Sequence, residues 1–122
     1  MSLEPKIMAR LKAEVPLVGG RVNWPGALQG MATPYLVVAK ISSDRDYTHD
    51  GYSGLSRPRY QVSVFAPAYV EAKQTAEEVI AAMESWKADG IRFAPVAGEQ
   101  DFFVEAAGLY HVPVDFFIHY EE

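Results

Sequence analysis

Cysteine is missing from all 122 positions of the chain, which excludes disulfides, thiolate nucleophiles and the common structural zinc sites. Long apolar runs are missing as well. None approaches the ~20 residues needed to span a bilayer, and Met1–Lys12 lacks the uninterrupted apolar core of a signal peptide. The chain is thus expected to be a soluble protein without a leader, a pattern that fits the cytoplasm. Basic charge is thin: 11 Lys and Arg stand against 16 Asp and Glu, for a net charge of −5. Tight nucleic-acid binding needs clustered cations to replace the counterions on phosphates. Here the cations are scattered, with only Arg57 and Arg59 forming a local pair. An acidic surface of this kind repels DNA and lets it pass.

What is present is ordinary in bulk and informative in order. The length suits one domain over residues 1–122, large enough to bury roughly two thirds of its unfolded surface. Ile7, Met8, Leu11 and Val15 fall on one helical face of Glu4–Val15, and Pro16 with Gly19-Gly20 ends that helix. Arg21–Trp24 reads as a short strand and Pro25–Pro34 as a loop. Tyr35–Ile41 is apolar almost throughout, as in a strand covered on both faces. Arg59–Ala66 alternates, with Tyr60, Val62 and Val64 inward and Gln61 and Ser63 outward.

A long amphipathic helix follows from Tyr69 to about Lys87, with Ala72, Ala76, Val79, Ile80 and Met83 along one stripe. Ile91–Val96, Phe102–Ala106 and Leu109–Tyr120 complete the strands. In the last of these Tyr110, Val112, Val114, Phe116, Ile118 and Tyr120 share one face. The expected fold is α+β, in the order α-β-β-β-α-β-β-β, with two helices and one mixed, largely antiparallel sheet. Clustered strands favour that arrangement over a doubly wound one.

Between the second and third strands lies a polar arm of 17 residues, Ser42–Pro58 (SSDRDYTHDGYSGLSRP). A connection this long is uncommon in a compact domain unless it is disordered or functional. It is expected to be a contact element, mobile in the free subunit and ordered against a partner.

Catalytic constellations fail on geometry or motif. His111, Asp115 and His119 lie on one face of the final strand, but residues four apart on a strand are about 13 Å apart, while a metal needs ligands ~2 Å away. His49 with Asp44, Asp46 and Asp50 is a carboxylate-rich loop without the ordered glycine and distal Glu of a calcium-binding EF-hand loop. Ser53, in Gly51-Tyr52-Ser53-Gly54, does not match the nucleophile elbow, and no phosphate-cradling loop is present. The reading is a protein without catalysis, metal or cofactor.

What remains is surface suited to contact. Trp24, Tyr47, Tyr52, Leu55, Phe65, Trp86 and Phe117 include groups on loops or on the polar face of a strand; Phe65 and Phe117 break their strands' alternation. A helix packed on that second face, or isolated exposed apolar groups, would also account for them. Few helices are on hand to cover two apolar faces, which favours a subunit interface. The candidate partner-binding residues are Asp44, Arg45, Asp46, Tyr47, His49, Tyr52, Leu55, Arg57, Phe65 and Phe117.

The segments Gly19-Gly20-Arg21-Val22, Pro34-Tyr35-Leu36-Val37-Val38, Leu55 through Ala66, Tyr69-Val70-Glu71-Ala72 and Tyr110 through Phe116 occur in a telling order and spacing. In that order the chain resembles the tail-completion (tail-terminator or head–tail joining) proteins of long-tailed bacteriophages and prophages. The resemblance implies an α+β domain that assembles as a ring, usually a hexamer, at the head-proximal end of the tail tube. It would stop tube growth and offer the surface to which the filled head docks. Implied partners are other copies of itself, the tail tube protein and the head–tail connector protein, with DNA passing through unbound and no membrane. The implied location is the host bacterial cytoplasm during assembly and then the virion tail. Two other readings stay open: a small-molecule or protein-binding module of ferredoxin-like type without catalysis, and a hydrolase or metal-dependent enzyme using the Asp44–Asp50 loop.

Overall fold

The computed structural model describes residues 3–23, 33–42, 45–48, 51–56, 58–87 and 90–121. Helix α1 spans Glu4–Glu14 and turns Ile7 and Leu11 inward. It stops where Pro16 cannot continue it, and a short 3-10 turn, Pro16–Val18, leads to Gly19 in the left-handed region at φ 55°. Helix α2 spans Tyr69–Glu84 and buries Ala72, Thr75, Ala76, Val79, Ala82 and Met83. Small residues on that stripe let the helix lie close against the sheet. Neither helix starts with a side-chain cap. The far end of α2 is better served. Arg10 donates from Nε to the Ala82 carbonyl at 3.1 Å and from a terminal nitrogen to Ser85 Oγ at 2.9 Å. A cation at a helix C-terminus also complements the helix dipole, so one side chain both caps α2 and fixes α1 against it.

The strands are β1 (Val22–Asn23), β2 (Tyr35–Ser42), β3 (Arg45–Thr48), β4 (Gly51–Ser56), β5 (Arg59–Ala66), β6 (Ile91–Phe93), β7 (Val96–Glu99), β8 (Phe102–Val104), β9 (Leu109–Phe117) and β10 (His119–Glu121). The larger sheet runs β1-β2-β5-β9-β7, with β8 also paired to β9. Its β1–β2 pair is parallel and the other pairs are antiparallel. The smaller sheet runs β3-β4-β10-β6. The α+β architecture expected from the sequence is therefore present, with two helices and a mixed, mostly antiparallel sheet, and a second, smaller sheet stands beside the single one expected.

Both helices cover one face of the larger sheet. Leu36 and Val38 from β2, Tyr60, Val62 and Val64 from β5, and Val112, Val114 and Phe116 from β9 meet Ile7, Leu11, Val79 and Met83 in one core. Period-two alternation on β5 and β9 supplies that face directly. Inside it the Tyr60 hydroxyl donates to Glu4 at 2.7 Å, joining β5 to α1.

Three expectations need correction. The arm is not a bare loop: β3 and β4 occupy most of it and pair antiparallel, with Tyr47 opposite Tyr52 and Thr48 opposite Gly51. Its strands are polar, and β4 completes its pairing with β10, more than sixty residues away, so hydrophobic patterning could not reveal them. The final strand also divides. β9 ends at Phe117, Ile118 stays buried, and His119–Glu121 turn into the smaller sheet as β10. Trp86 is no contact residue; at 2% exposure it extends the apolar stripe of α2 into the core.

Candidate functional site

The face of the larger sheet turned away from the helices is built differently. Tyr35, Phe65, His111 and Phe102 are direct cross-strand partners along one row across β2, β5, β9 and β8. Their rings stack in that order. Tyr35 and Phe65 lie 5.0 Å apart at 20°, Phe65 and His111 4.4 Å apart at 8°, and Phe102 and His111 6.0 Å apart at a tilt. Cross-strand ring pairs of this kind add to the area they bury. Burial pushes the His111 pKa down, and its Nε2 is buried without a hydrogen-bond partner. A neutral imidazole suits that position, because an imidazolium there would be a poorly solvated charge.

Toward the arm end, the same face becomes polar. Asp115 accepts from Arg59 Nε at 3.1 Å and from Gln61 Nε2 at 3.0 Å, and it ion-pairs with the Arg59 guanidinium. That guanidinium also lies 5.6 Å from the centroid of Phe117. A shallow open cleft of about 170 Å³ sits beside this group, bounded by Arg59, Gln61, Asp115 and the β7 residues Gly98 and Glu99. Its cation and nearest carboxylate neutralise each other. The arrangement orders a surface and offers no group poised for proton transfer or attack.

A second cluster adjoins that cleft through Glu99. Lys73 on α2 binds Glu99 at 2.6 Å and Asp101 at 3.1 Å, and the Tyr69 hydroxyl donates to Asp101 at 3.0 Å. The hydrogen bond to Glu99 raises the Lys73 pKa, and the Lys73 ammonium holds Asp101 below the usual carboxylate range. This clasp fixes the start of α2 to the β7–β8 connection. Beside it the rings of Tyr69, Tyr110 and Phe103 touch, yet Phe102 and Phe103 remain 50% and 52% exposed and Val70 65%.

The predicted contact residues divide among these places. Phe65 is half-buried inside the ring stack, so it braces the sheet more than it offers free surface. Phe117 is exposed, beside Arg59. Arg45, Asp46 and Tyr47 lie on β3, and Tyr52 and Leu55 on β4, with Leu55 in register with Glu121 of β10. Asp44, His49 and Arg57, like Trp24, lie outside the described residues. The row His111–Asp115–His119 is not assembled: Asp115 serves Arg59 and Gln61, and His119 sits in the other sheet. Among the described residues no group of three His, Asp or Glu side chains could hold a metal ion. No helix there is long and apolar enough to cross a membrane.

Sequence reasoning missed Phe102, Phe103, Tyr69 and Val70 as surface. The adjacent pair Phe102-Phe103 was a usable signal, since neighbours on a strand point to opposite faces and a three-residue strand cannot bury both.

The family model for tail completion protein gp17 matches residues 5–121 of the chain. The chain belongs to this family. Membership makes it a structural protein of a phage-type tail. A solved chain from the virion of a native gene transfer agent particle shares the fold at a TM-score of 0.78 and 17% identity, covering 95% of this chain and 92% of that one. No curated protein matches the sequence.

Proposed function

We propose that this tail completion protein works without catalysis, as one domain that caps the tail tube and forms the surface to which the filled head docks. It assembles as a closed ring, a hexamer, with the tail tube protein and the head–tail connector protein as neighbours. DNA passes through the lumen without specific binding. Assembly takes place in the host bacterial cytoplasm, and the finished protein resides in the virion tail. The observation that carries this reading is the family match across residues 5–121. The acidic balance of −5 fits a lumen that does not retain DNA.

The architecture separates what holds the fold from what meets a partner. The core lies between two helices and one face of the larger sheet, whereas the β3–β4 hairpin belongs to the smaller sheet. The arm residues Asp44, Arg45, Asp46, Tyr47, His49, Tyr52, Leu55 and Arg57, together with Phe117, serve as its contact surface. Removing Asp46–Gly54 keeps Leu55 and Ser56, the residues that pair with β10. The shortened protein should therefore melt cooperatively near the wild-type temperature while tails fail to complete. An unfolded product, or a full yield of joined particles, would overturn this division.

A further inference from the structure

The two sheets share one strand order. β2, β5, β9 and β7 lie side by side in the larger sheet, and β3, β4, β10 and β6 in the smaller. Each strand of the first set is joined by chain to its counterpart in the second. β2 meets β3 across residues 43–44, β4 meets β5 across 57–58, β9 meets β10 through Ile118, and β6 meets β7 through Ala94-Pro95. One four-stranded surface is thus interrupted along a single line.

Backbone chemistry accounts for the interruption. Arg59 is in register with Phe117, which sets Pro58 opposite Ile118; Val96 is in register with Phe116, which sets Pro95 opposite Phe117. A hydrogen-bonded antiparallel pair exchanges two N–H···O bonds. Here Ile118 donates to the Pro58 carbonyl at 3.0 Å and Phe117 to the Pro95 carbonyl at 3.1 Å. The return bond is impossible in both pairs, because proline has no N–H. Register shifts flank the same line, between Lys40 and Ser42, Arg45 and Tyr47, Val96 and Gly98, and His119 and Tyr120. Irregularities of this kind bend a strand and disrupt its ladder.

The two halves of the smaller sheet are held unequally. On the β6–β10 side Ile91, Ala94, Ile118 and Tyr120 are buried in the core, and Lys6 of α1 lies 5.4 Å from the Tyr120 ring centroid. β4 reaches that side through Ser56 opposite Tyr120 and Leu55 opposite Glu121, and β3 lies beyond it at the sheet edge. A two-stranded hairpin is marginally stable alone in water, so its angle depends on this short pairing. Across the line, Arg59 at the start of β5 is tied to Asp115 and lies over Phe117, which fixes the larger sheet up to its last residue.

We propose that this line is a hinge on which the β3–β4 hairpin swings as one piece while the larger sheet stays fixed. Hinges are a few residues at element ends that absorb the change in backbone angle, and Pro58 and Ser42 occupy those places. The swing lets the arm meet a partner at more than one angle over an unchanged core. It does not rest on the ring reading, and it is tested on the single subunit.

The chain has no cysteine, so introduced thiols carry spin labels at chosen positions only. Gln74→Cys on the exposed side of α2 is combined with Thr48→Cys at the end of β3, or with Arg92→Cys on β6. Distances between labels are measured at a concentration where light scattering shows the monomer. The Gln74–Thr48 distribution should be at least about twice as broad as the Gln74–Arg92 one, as a hinge requires. An Arg45→Cys/Ser56→Cys pair, in register within the hairpin, should stay narrow. Pro58→Ala supplies the missing N–H and should narrow the Gln74–Thr48 distribution, the reverse of the loosening expected when a proline is removed from a chain. Equal widths for Thr48 and Arg92 would show a rigid corner and overturn the proposal. A broad Arg45–Ser56 distribution would show fraying within the hairpin and overturn it too. A folded Pro58→Ala variant with an unchanged or wider distribution would remove the lost ladder bond as the cause and count against the hinge. Pro58 is buried; should its variant fail to fold, the comparison of Thr48 with Arg92 in the otherwise native chain still decides.

Discussion

The two faces of the larger sheet use the same strands for different purposes. On the helix side, β5 and β9 present Val62, Val64, Val112, Val114 and Phe116, all fully buried and aliphatic or aromatic without polar atoms. On the other side the same strands present Phe65 and His111 in a ring stack and Gln61, Asp115 and Arg59 in a polar network. The first face depends mainly on close packing, with the Tyr60–Glu4 hydrogen bond added to it. The second depends on register, because each ring and each polar atom finds its partner only if the strands β2, β5, β9 and β8 align to the residue. The helix side therefore supplies most of the stability, and the open side supplies specificity and leads outward to exposed Phe102 and Phe117.

That contrast can be broken most forcefully at Phe116. Truncation to alanine leaves a cavity between the sheet and the helices and should cost about 3–5 kcal/mol in urea unfolding. A loss below ~1 kcal/mol would mean that the helix-covered face is not the main store of stability. Phe65→Ala removes the middle of the stack from a half-buried site. Two ring contacts of ~0.5–1.5 kcal/mol each, with part of the burial, predict a loss of roughly 1–3 kcal/mol. An effect equal to that of Phe116→Ala would erase the difference between the faces.

His111 gives a smaller, signed effect. Burial lowers its folded pKa beneath the unfolded value near 6.5, so the unfolded chain takes up the proton first as pH falls. Stability from this group is complete above about pH 6.5 and is lost as acid carries the pH down toward the folded pKa. His111→Phe keeps a ring in the stack and should flatten that part of the pH profile; an unchanged slope between pH 7.5 and 5 would reassign it to other groups. Smallest is the Lys73 clasp to Glu99 and Asp101. Lys73→Ala should lower the melting temperature slightly at low salt and have no effect in ~1 M salt, because exposed pairs are screened.

Much of the helix-covered face was legible in the sequence. Ile7 and Leu11 on α1, the Ala72–Ala76–Val79–Met83 stripe and the alternation of β5 and β9 each reflect one local period, and the structure keeps them all. The open face was legible only in part. Phe65 and Phe117 could be seen to break alternation, but the partners of Phe65 lie 30 and 46 positions away and no local pattern names them. Hairpin β3–β4 was hidden for the opposite reason, since its polar strands are paired through their backbones and carry no apolar period. The division of β9 from β10 was hidden too. Inward alternation continues unbroken through Ile118 to Tyr120 while the hydrogen-bond partners change from β5 to β6 and β4. Pro95, which lacks an N–H, similarly separates β6 from β7 within a stretch that reads as one strand.

The central claim is that the helix-covered core is a scaffold for an assembling tail component whose contacts lie outside that core. Particle mass measured by light scattering across a wide range of protein concentration tests it most directly. The account predicts a rise from one subunit mass to a single finite multiple, six, that stays constant on further concentration. A wild-type protein that never leaves the monomer, or that grows without limit, would contradict it.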